Sequence, residues 1–295
     1  MSLVRILRRI TSSPLNRDRK IRAIARFVRW QVASRLAPGS IVVPWVGKTS
    51  FLASPGETGV TLNIYCGLHE FEDMAFVLHF VREGDLFLDV GSNVGAYSIL
   101  ACGACGSRGI AFEPVPETFR RLQANLRMND LADRVEARNQ GVGDAPATLR
   151  FSAGENCTNH VLAPGETAAA SVEVPVVRLD DAVDGPPAMI KIDVEGFETP
   201  VLAGASGILG NPALQAILIE LNGSGVRYGY DEQAIVASLV RHGFAAFRYE
   251  PFARRLTPLE HGTNAEGNTL FVRNAELVQQ RLQSADRFEV MGRSI

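Results

Sequence analysis

The stretch that decides the fold runs from Leu86 to Ser98 and reads "LFLDVGSNVGAYS". An apolar run that contains one acid, Asp89, passes through a turn bounded by Gly91 and Gly95 into residues that favour a helix. Short apolar strands and helical segments alternate from here almost to the end of the chain. This alternation predicts an α/β fold with a doubly wound parallel sheet, in which ligands bind beyond the carboxyl ends of the strands.

The remaining elements follow from the same change of hydrophobic period. Strands are predicted at 86–90, 109–113, 135–140, 189–194 and 216–221, followed by a closing pair, "AAFRYE" and "NTLFVR". Helices are predicted from about Ala96, after Pro116, from Phe197 and from Asp231. A segment rich in small and polar residues, around "SAGENCTNHVLAPGETAAA", interrupts the alternation and is read as an insertion.

The turn after the first strand indicates which cofactor it holds. Three residues separate Gly91 from Gly95, so the pattern is GxxxG and not the GxGxxG that lets a backbone approach a pyrophosphate. A dinucleotide is therefore disfavoured. Asn93, inside the turn, tolerates unusual backbone angles and offers an amide to a carboxylate.

Acidic residues at the strand ends sharpen this prediction. Glu113 ends the second strand 22 residues after Gly91, where a carboxylate can accept both hydroxyls of a ribose. Asp89 and Glu113 would attract a cationic cofactor and repel the phosphates of NAD. A ribose without a pyrophosphate indicates S-adenosylmethionine. Asp144, after the third strand, is placed either to meet the adenine or to lie in a plain loop.

Composition places the chain among globular proteins and separates its front end from the rest. The 295 residues are 46% hydrophobic and 21% charged, and no apolar run is long enough to span a membrane. Residues 1–40 hold ten Lys and Arg against one acid, about +9, which leaves about −11 for the remainder of the net charge of −2.

A basic amphipathic helix is predicted within this front end. The apolar positions recur at helical spacing, and they are Ile21, Ile24, Val28, Val32 and Leu36. Arg22, Arg26 and Arg29 fall on another face. We expect the apolar face to pack on the main domain, with binding to an anionic membrane surface as the alternative. Nucleic acid is not expected as a partner, because the rest of the chain is acidic.

The start of the chain, "MSLVRILRRI", does not form an apolar export segment, because arginines interrupt it. Four cysteines are too few for a disulfide framework in a chain of this length and fit a reducing compartment. We therefore expect a cytoplasmic protein, with peripheral contact at the inner membrane face as a possibility. The sequence leaves the oligomeric state open.

Four segments of the sequence, in their order and spacing, resemble the FkbM family of class I S-adenosylmethionine-dependent methyltransferases. They are "DLFLDVGSNVGAYS", "AFEPVPETFRRL", "IKIDVEGFETPVLAG" and "AILIELN", and the resemblance spans roughly 60–275. It implies a seven-stranded Rossmann-like sheet with an antiparallel last strand, and methyl transfer to a hydroxyl of a sugar, glycolipid, polysaccharide or polyketide. The predicted organisation is a basic helical segment at 1–39 and a methyltransferase domain at 40–295. That domain comprises a β-rich lead-in at 40–68, a core at about 70–275 and a tail at 276–295.

Methyl transfer to an alcohol needs alignment for an in-line displacement and a group that takes the hydroxyl proton. Asp193, at the end of the fourth strand, is the first candidate for base or for orienter of the acceptor. Glu195 is the second candidate, and Glu220, which ends the fifth strand, is the third. Glu198 fits a helix N-terminal acid better than a catalytic one.

Other side chains near these strand ends leave alternatives open. His69 and His160 are either bases or packed residues, and the spacing of the carboxylates is not diagnostic of a metal, so none is predicted. Tyr228 and Tyr230 suit a loop that stacks on a sugar, or ordinary loop packing. The rival functions are an NAD(P)-dependent oxidoreductase and a non-catalytic membrane-associated Rossmann-like protein.

Overall fold

The computed structural model describes residues 3–37, 39–154, 158–260, 262–264 and 267–295. Two helices, a hairpin and two further helices precede the central sheet. These are α1 (Leu3–Ser12), α2 (Lys20–Leu36), β1 (Ile41–Pro44), β2 (Ser50–Ala53), α3 (Thr58–Cys66) and α4 (Phe71–Phe80).

The way in which α2 packs corrects the expectation for the basic segment. Its buried face is formed by Ala23, Trp30 and Ser34, with Phe27 partly buried. The aliphatic residues predicted to pack on the domain are exposed instead, as are Arg22 and Arg29, whereas Arg26 is partly buried. The face that carries Trp30 and Phe27 docks because aromatic side chains remove more apolar area from water than Ile or Val.

The predicted β-rich lead-in at 40–68 is half right. β1 and β2 form the expected antiparallel hairpin, with Ile41 opposite Ala53. The second half is wrong, because "TGVTLNIYC" forms α3 rather than a strand. Val60, Leu62 and Ile64 are buried there, so tertiary packing overrides the β propensity of these branched residues.

The rest of the chain builds the central sheet and its helices. The strands are β3 (Leu86–Val90), β4 (Arg108–Phe112), β5 (Val135–Arg138), β6 (Gly141–Val142), β7 (Ala147–Ser152), β8 (Ser171–Val177), β9 (Met189–Ile192), β10 (Ala216–Glu220), β11 (Ala245–Glu250), β12 (Arg255–Pro258), β13 (Asn268–Val272), β14 (Glu289–Val290) and β15 (Arg293–Ser294). The helices are α5 (Ala96–Ser98), which continues as a π-helical segment (Ile99–Ala104), α6 (Pro116–Met128), α7 (Leu179–Ala182), α8 (Glu198–Ala203), α9 (Ser206–Gly210), α10 (Glu232–Arg241) and α11 (Ala275–Gln283).

Among the described residues, eight strands form the central sheet in the order β12-β11-β13-β10-β9-β3-β4-β5. The neighbouring strands β10, β9, β3, β4 and β5 run parallel, and β13 runs antiparallel to both β10 and β11. This confirms the predicted doubly wound sheet with an antiparallel last strand. β12 adds one edge strand, antiparallel to β11, that the sequence analysis did not predict.

Alternation along β3 and β9 assigns side chains to the two faces of the sheet. Leu88 and Ile190 pack in one apolar cluster together with α8, α9 and α10. Phe87 and Met189 pack in a second cluster, against α3, α4 and α6. Asp89 and Lys191 are aligned partners in the parallel register, so both lie on the face of the second cluster. Two charged residues thus lie side by side on adjacent strands, and both are buried.

The predicted insertion, at 152–170, connects β7 to β8. These two strands pair antiparallel in a small separate sheet, in which β8 also pairs parallel with β6. The part of this segment at 155–157, which includes Cys157, lies outside the described residues. At the end of the chain α11 packs on α4, and Val290 and Ile295 are buried. Within the described part of the chain, no helix combines the length and apolar composition needed to cross a bilayer.

Candidate active site

A cavity of about 250 Å³ opens at the carboxyl ends of β3, β4, β9 and β10. This is the edge at which ligands bind in doubly wound sheets. Its polar lining falls into two groups that lie on different strand ends. One group holds the turn after β3 and the end of β4, and the other holds the ends of β9 and β10 with the start of α4. The polar and charged residues that line it are Asn63, His69, Glu70, Ser92, Asn93, Tyr97, Glu113, Gln140, Asn159, Lys191, Asp193, Glu195 and Glu220.

The glycine turn after β3 is built for close approach. Gly91 has a φ of 78°, and a Cβ there would lie 1.8 Å from the carbonyl oxygen of Asp193. Asn93 adopts the left-handed region expected of it, with a φ of 49°, and both residues line the cavity. Gly95 caps α5 outside the lining, and a Cβ there would meet Leu122 at 2.7 Å. Its role is to let α6 approach the turn.

Glu113 lies in the cavity wall, as predicted, and is 6% exposed. Its Oε2 accepts the N–H of Asn93 at 2.9 Å and its Oε1 accepts that of Val115 at 3.0 Å. Burial raises the pKa of this carboxyl to about 7, although the two N–H donors oppose the shift. Each oxygen keeps a lone pair for a further donor, so the carboxylate can still accept ribose hydroxyls.

Asp89 and Asp144 are not where a direct cofactor contact needs them. Asp89 is 1% exposed and lies outside the lining, and its Oδ2 accepts both the N–H and the Oγ–H of Ser98. It therefore supports the turn from behind. Asp144 is exposed, because β6 ends at Val142 and the chain turns to solvent. Gln140 and Gly141 line the cavity at this strand end instead.

An ion pair between buried Lys191 and partly buried Asp193 anchors the opposite wall. Lys191 is 4% exposed, and its Nζ donates to Asp193 Oδ2 at 2.8 Å and lies 5.2 Å from the ring centre of Tyr97. Burial alone would lower the pKa of Lys191, but the carboxylates of Asp193 and Asp89 raise it above its usual value. Asp193, the first candidate for the base, is thus engaged by a permanent cation.

Two further carboxyl groups at this wall, those of Glu195 and Glu220, have raised pKa values. Burial, with the nearby Asp193, raises the pKa of Glu195 to about 7 and that of Glu220 to about 8. Glu220 Oε2 is buried and accepts no hydrogen bond from the residues that the structure describes. One oxygen from each of Asp193, Glu195 and Glu220 lies within 4.8 Å of the others. This arrangement can share protons, and among the described residues these three carboxyl groups are close enough together to hold a divalent cation.

The sequence analysis missed two residues of this wall, Glu70 and Tyr97, and the part played by Lys191. Glu70 precedes α4, lines the cavity and accepts the Tyr97 hydroxyl at 2.7 Å. A lysine inside the apolar strand "MIKI" was a signal for a buried ion pair, because a buried cation needs a partner. Glu70 carried no comparable signal, since only the tertiary fold brings α4 to this edge.

His69 lines the cavity, and burial lowers its pKa to about 4. The other residues left open in the sequence analysis lie outside the lining and have structural contacts. His160 contacts Glu166 and the Thr158 carbonyl through its two ring nitrogens. Tyr228 and Tyr230 pack on Phe197, with ring centres 5.5 and 6.3 Å away, so ordinary packing accounts for both.

Glu198 is 3% exposed and accepts the N–H groups of Val194 and Gly196. It holds the loop that carries Glu195, which has a φ of 54°. Glu198 is therefore a structural acid at a helix start, in agreement with the sequence analysis.

The sheet order, the glycine turn and the acidic residue that follows the second strand define the Rossmann-like fold of class I methyltransferases. The chain matches the family described as "Methyltransferase FkbM domain" over residues 89–245. It therefore belongs to the FkbM methyltransferase family, as the sequence blocks indicated.

Two relatives describe the similarity further. The hexuronic acid methyltransferase AglP of Haloferax volcanii is 28% identical over 52% of this chain and 62% of its own length. The 31-O-demethyl-FK506 methyltransferase FkbM of Streptomyces tacrolimicus is 29% identical over 59% of this chain and 78% of its own. The solved structure of a methyltransferase FkbM from Methylobacillus flagellatus KT aligns with a TM-score of 0.47 and 19% identity, over 72% of this chain and 52% of that one.

Proposed function

We propose that the chain is an S-adenosylmethionine-dependent O-methyltransferase that acts on a hydroxyl of a sugar, glycolipid, polysaccharide or related natural product. One observation carries this proposal. A single cavity has Glu113 and the glycine turn on one side and the carboxyl groups of Asp193, Glu195 and Glu220 on the other. The first group suits a nucleoside, and the second suits a reacting hydroxyl beside a cationic centre.

The residues of the cavity fit the cofactor. Glu113 would accept the ribose hydroxyls, and Asn93 with the backbone of the turn would face the methionine carboxylate. Buried carboxylates favour a sulfonium and an ammonium and disfavour a pyrophosphate. Bound S-adenosylmethionine would supply an electrophilic methyl group at this edge of the sheet.

The protein's own part is positioning and proton transfer. We assign the base to Glu220, because one of its oxygens has no hydrogen-bond partner and its pKa is raised to about 8, near working pH. With the cofactor bound, Glu220 would accept the proton of the acceptor hydroxyl, so that the hydroxyl oxygen could receive the methyl group. Asp193, held by Lys191, would orient the acceptor hydroxyl, and Glu195 is the alternative base.

The relatives support the acceptor class. One is named for a hexuronic acid and the other for an oxygen of a demethylated natural product. A wall with four carboxyl groups, those of Glu70, Asp193, Glu195 and Glu220, suits a ligand with several hydroxyl donors.

Thermal unfolding tests the cofactor. S-adenosylhomocysteine should raise the melting temperature in a concentration-dependent way, and NAD and NADP should not. Stabilisation by NAD alone would contradict the proposal. For the acceptor, tritium-labelled S-adenosylmethionine is supplied with glycolipid or polysaccharide extracts from a strain that lacks the protein. Label in an alkali-stable ether supports O-methylation of a hydroxyl, and label only in alkali-labile product contradicts it.

A further inference from the structure

The helix α2 presents a continuous aliphatic surface to solvent. We call this surface the exposed stripe and define it as Ile21, Ile24, Val28, Val32 and Leu36. At about 100° per residue these positions fall within roughly a third of the helix circumference. They are 85%, 40%, 52%, 52% and 78% exposed, respectively.

The docked face of α2 lies opposite the exposed stripe, so the stripe is free while the helix is fixed. Arg26 donates to Asn16 Oδ1 at 2.7 Å and to the Tyr65 carbonyl at 2.6 Å. Trp30 is 6% exposed, and Phe27 packs edge-on against Tyr65 with ring centres 5.1 Å apart. These contacts hold α2 on α3. The stripe therefore does not arise from a helix that is poorly attached.

Other exposed apolar side chains of the described chain do not form such a row. Val226, Val240 and Leu277 lie in three different elements, which is ordinary for a protein surface. The stripe instead follows one helix for about four turns. A contiguous apolar surface of this kind marks an interaction site.

The charge around the stripe identifies the partner. Arg22 and Arg29 are exposed beside it, and α1, which packs against α2, adds exposed Arg5, Arg8 and Arg9. Leu3 and Val4, at the start of α1, are also exposed. Two copies docked through this surface would set their arginines against each other, which like-charge repulsion disfavours, whereas an anionic bilayer offers both an apolar interior and negative headgroups.

We propose that α1 and α2 form a docking surface for an anionic lipid bilayer, with the exposed stripe inserted among the acyl chains and the arginines on the headgroups. This is the geometry of an interfacial amphipathic helix. The proposal does not depend on methyl transfer, because lipid binding is measured without cofactor or acceptor. Failure of one proposal leaves the other standing.

Vesicle co-sedimentation of the full chain tests the electrostatic part. Vesicles of phosphatidylcholine mixed with phosphatidylglycerol should bind the protein, and phosphatidylcholine alone should bind it much less. Arg22→Gln with Arg29→Gln should weaken binding by roughly tenfold or more, since each surface cation contributes about fivefold. The matched control, Arg120→Gln with Arg127→Gln on α6, should bind as wild type does. Equal binding to both kinds of vesicle would overturn the proposal.

The stripe is tested by Ile24→Ser, Val28→Ser and Val32→Ser combined, with Val226→Ser, Val240→Ser and Leu277→Ser combined as the control. The stripe variant should lose roughly tenfold or more in vesicle binding, and its melting temperature should stay near that of wild type. Equal loss in both variants would overturn the proposal. If the stripe variant instead has half the molar mass of the wild-type protein in solution and binds vesicles as well as wild type does, the stripe contacts a second copy of the chain. The proposal is then wrong.

Val32→Trp gives a readout that does not depend on loss of binding. Its indole should be quenched by brominated acyl chains when anionic vesicles are added, whereas that of Val240→Trp should not be. Absence of quenching in Val32→Trp would exclude insertion of the stripe.

Discussion

Glu113 and Glu220 lie at the ends of strands of the same sheet, line the same cavity and have raised pKa values. Their carboxyl oxygens differ in the hydrogen bonds that they accept. Both oxygens of Glu113 accept backbone N–H groups. Glu220 has a buried oxygen without a partner and lies beside Asp193 and Glu195. A carboxyl group fixed by backbone donors suits binding, and a carboxyl group among other acids suits proton exchange. Under the proposed function, one wall of the cavity would bind the cofactor and the other would serve the chemistry.

The strongest way to break this comparison is to remove the cation that holds the acidic wall together. Lys191→Met should cost up to about 3–5 kcal/mol of unfolding free energy, because it leaves buried Asp89 and partly buried Asp193 without the neighbouring cation. Urea denaturation measures the loss. Arg255→Met provides a matched control, since its ion pair with Glu250 has the same N–O distance of 2.8 Å but is exposed. A Lys191 variant as stable as this control would show that the pair does not anchor the wall.

Glu220→Gln tests the chemical wall. It keeps the size of the side chain and removes the base, so turnover should fall by on the order of 100-fold or more. Affinity for S-adenosylhomocysteine should stay within a few-fold. Labelled methyl transfer and calorimetric titration measure the two effects. Undiminished turnover would move the base to Glu195, and a fall in affinity alone would assign Glu220 to binding.

Glu113→Ala tests the binding wall. It should weaken S-adenosylhomocysteine binding by about 1–3 kcal/mol, the range for losing a charged hydrogen-bond partner. Glu117→Ala, at an exposed position in the first turn of α6, is the control and should bind normally. An unchanged titration curve for Glu113→Ala would exclude this carboxylate from the cofactor site.

The smallest expected effect is on how the free energy of unfolding depends on pH, to which Glu220 and Glu113 both contribute. The pKa of Glu220 rises from an ordinary 4.5 to about 8, so the folded state binds more protons in that window. Stability should therefore fall as pH rises from about 6.5 to 8. Glu220→Gln should flatten this slope by less than about 1.4 kcal/mol per pH unit, the limit for one proton. Glu113→Gln offers the parallel measurement, because its pKa of about 7 is raised mainly by burial.

Below pH 6.5, His69 and His79 change the free energy of unfolding in the opposite direction, so the effect of Glu220 is measured above that pH. Burial lowers the pKa of each to about 4, so the unfolded state binds their protons first as pH falls. Their contribution to stability is lost between about 6.5 and 4. A slope of opposite sign between pH 6.5 and 8 would contradict the assignment of the acidic wall.

The local pattern of the chain was enough to predict the sheet, the glycine turn and the carboxylates at the strand ends. Gly91, Asn93 and Glu113 line the cavity. They come just after the ends of β3 and β4, and the apolar run of each strand predicts where that strand ends. Asp193, Glu195 and Glu220 came from the same rule. Parallel strands bring their carboxyl ends to one edge, so the sequence determines which residues meet there.

The tertiary structure decided what those residues contact and which faces are covered. It placed Glu70 and Tyr97 at the acidic wall, moved Asp144 to solvent and put Asp89 behind the turn. It also determined which of the two apolar faces of α2 is buried: Trp30 lies on the buried face, and Ile21 lies on the exposed one. Hydrophobic period shows that a face can be buried, but burial depends on the apolar area and shape of a partner that is distant in sequence.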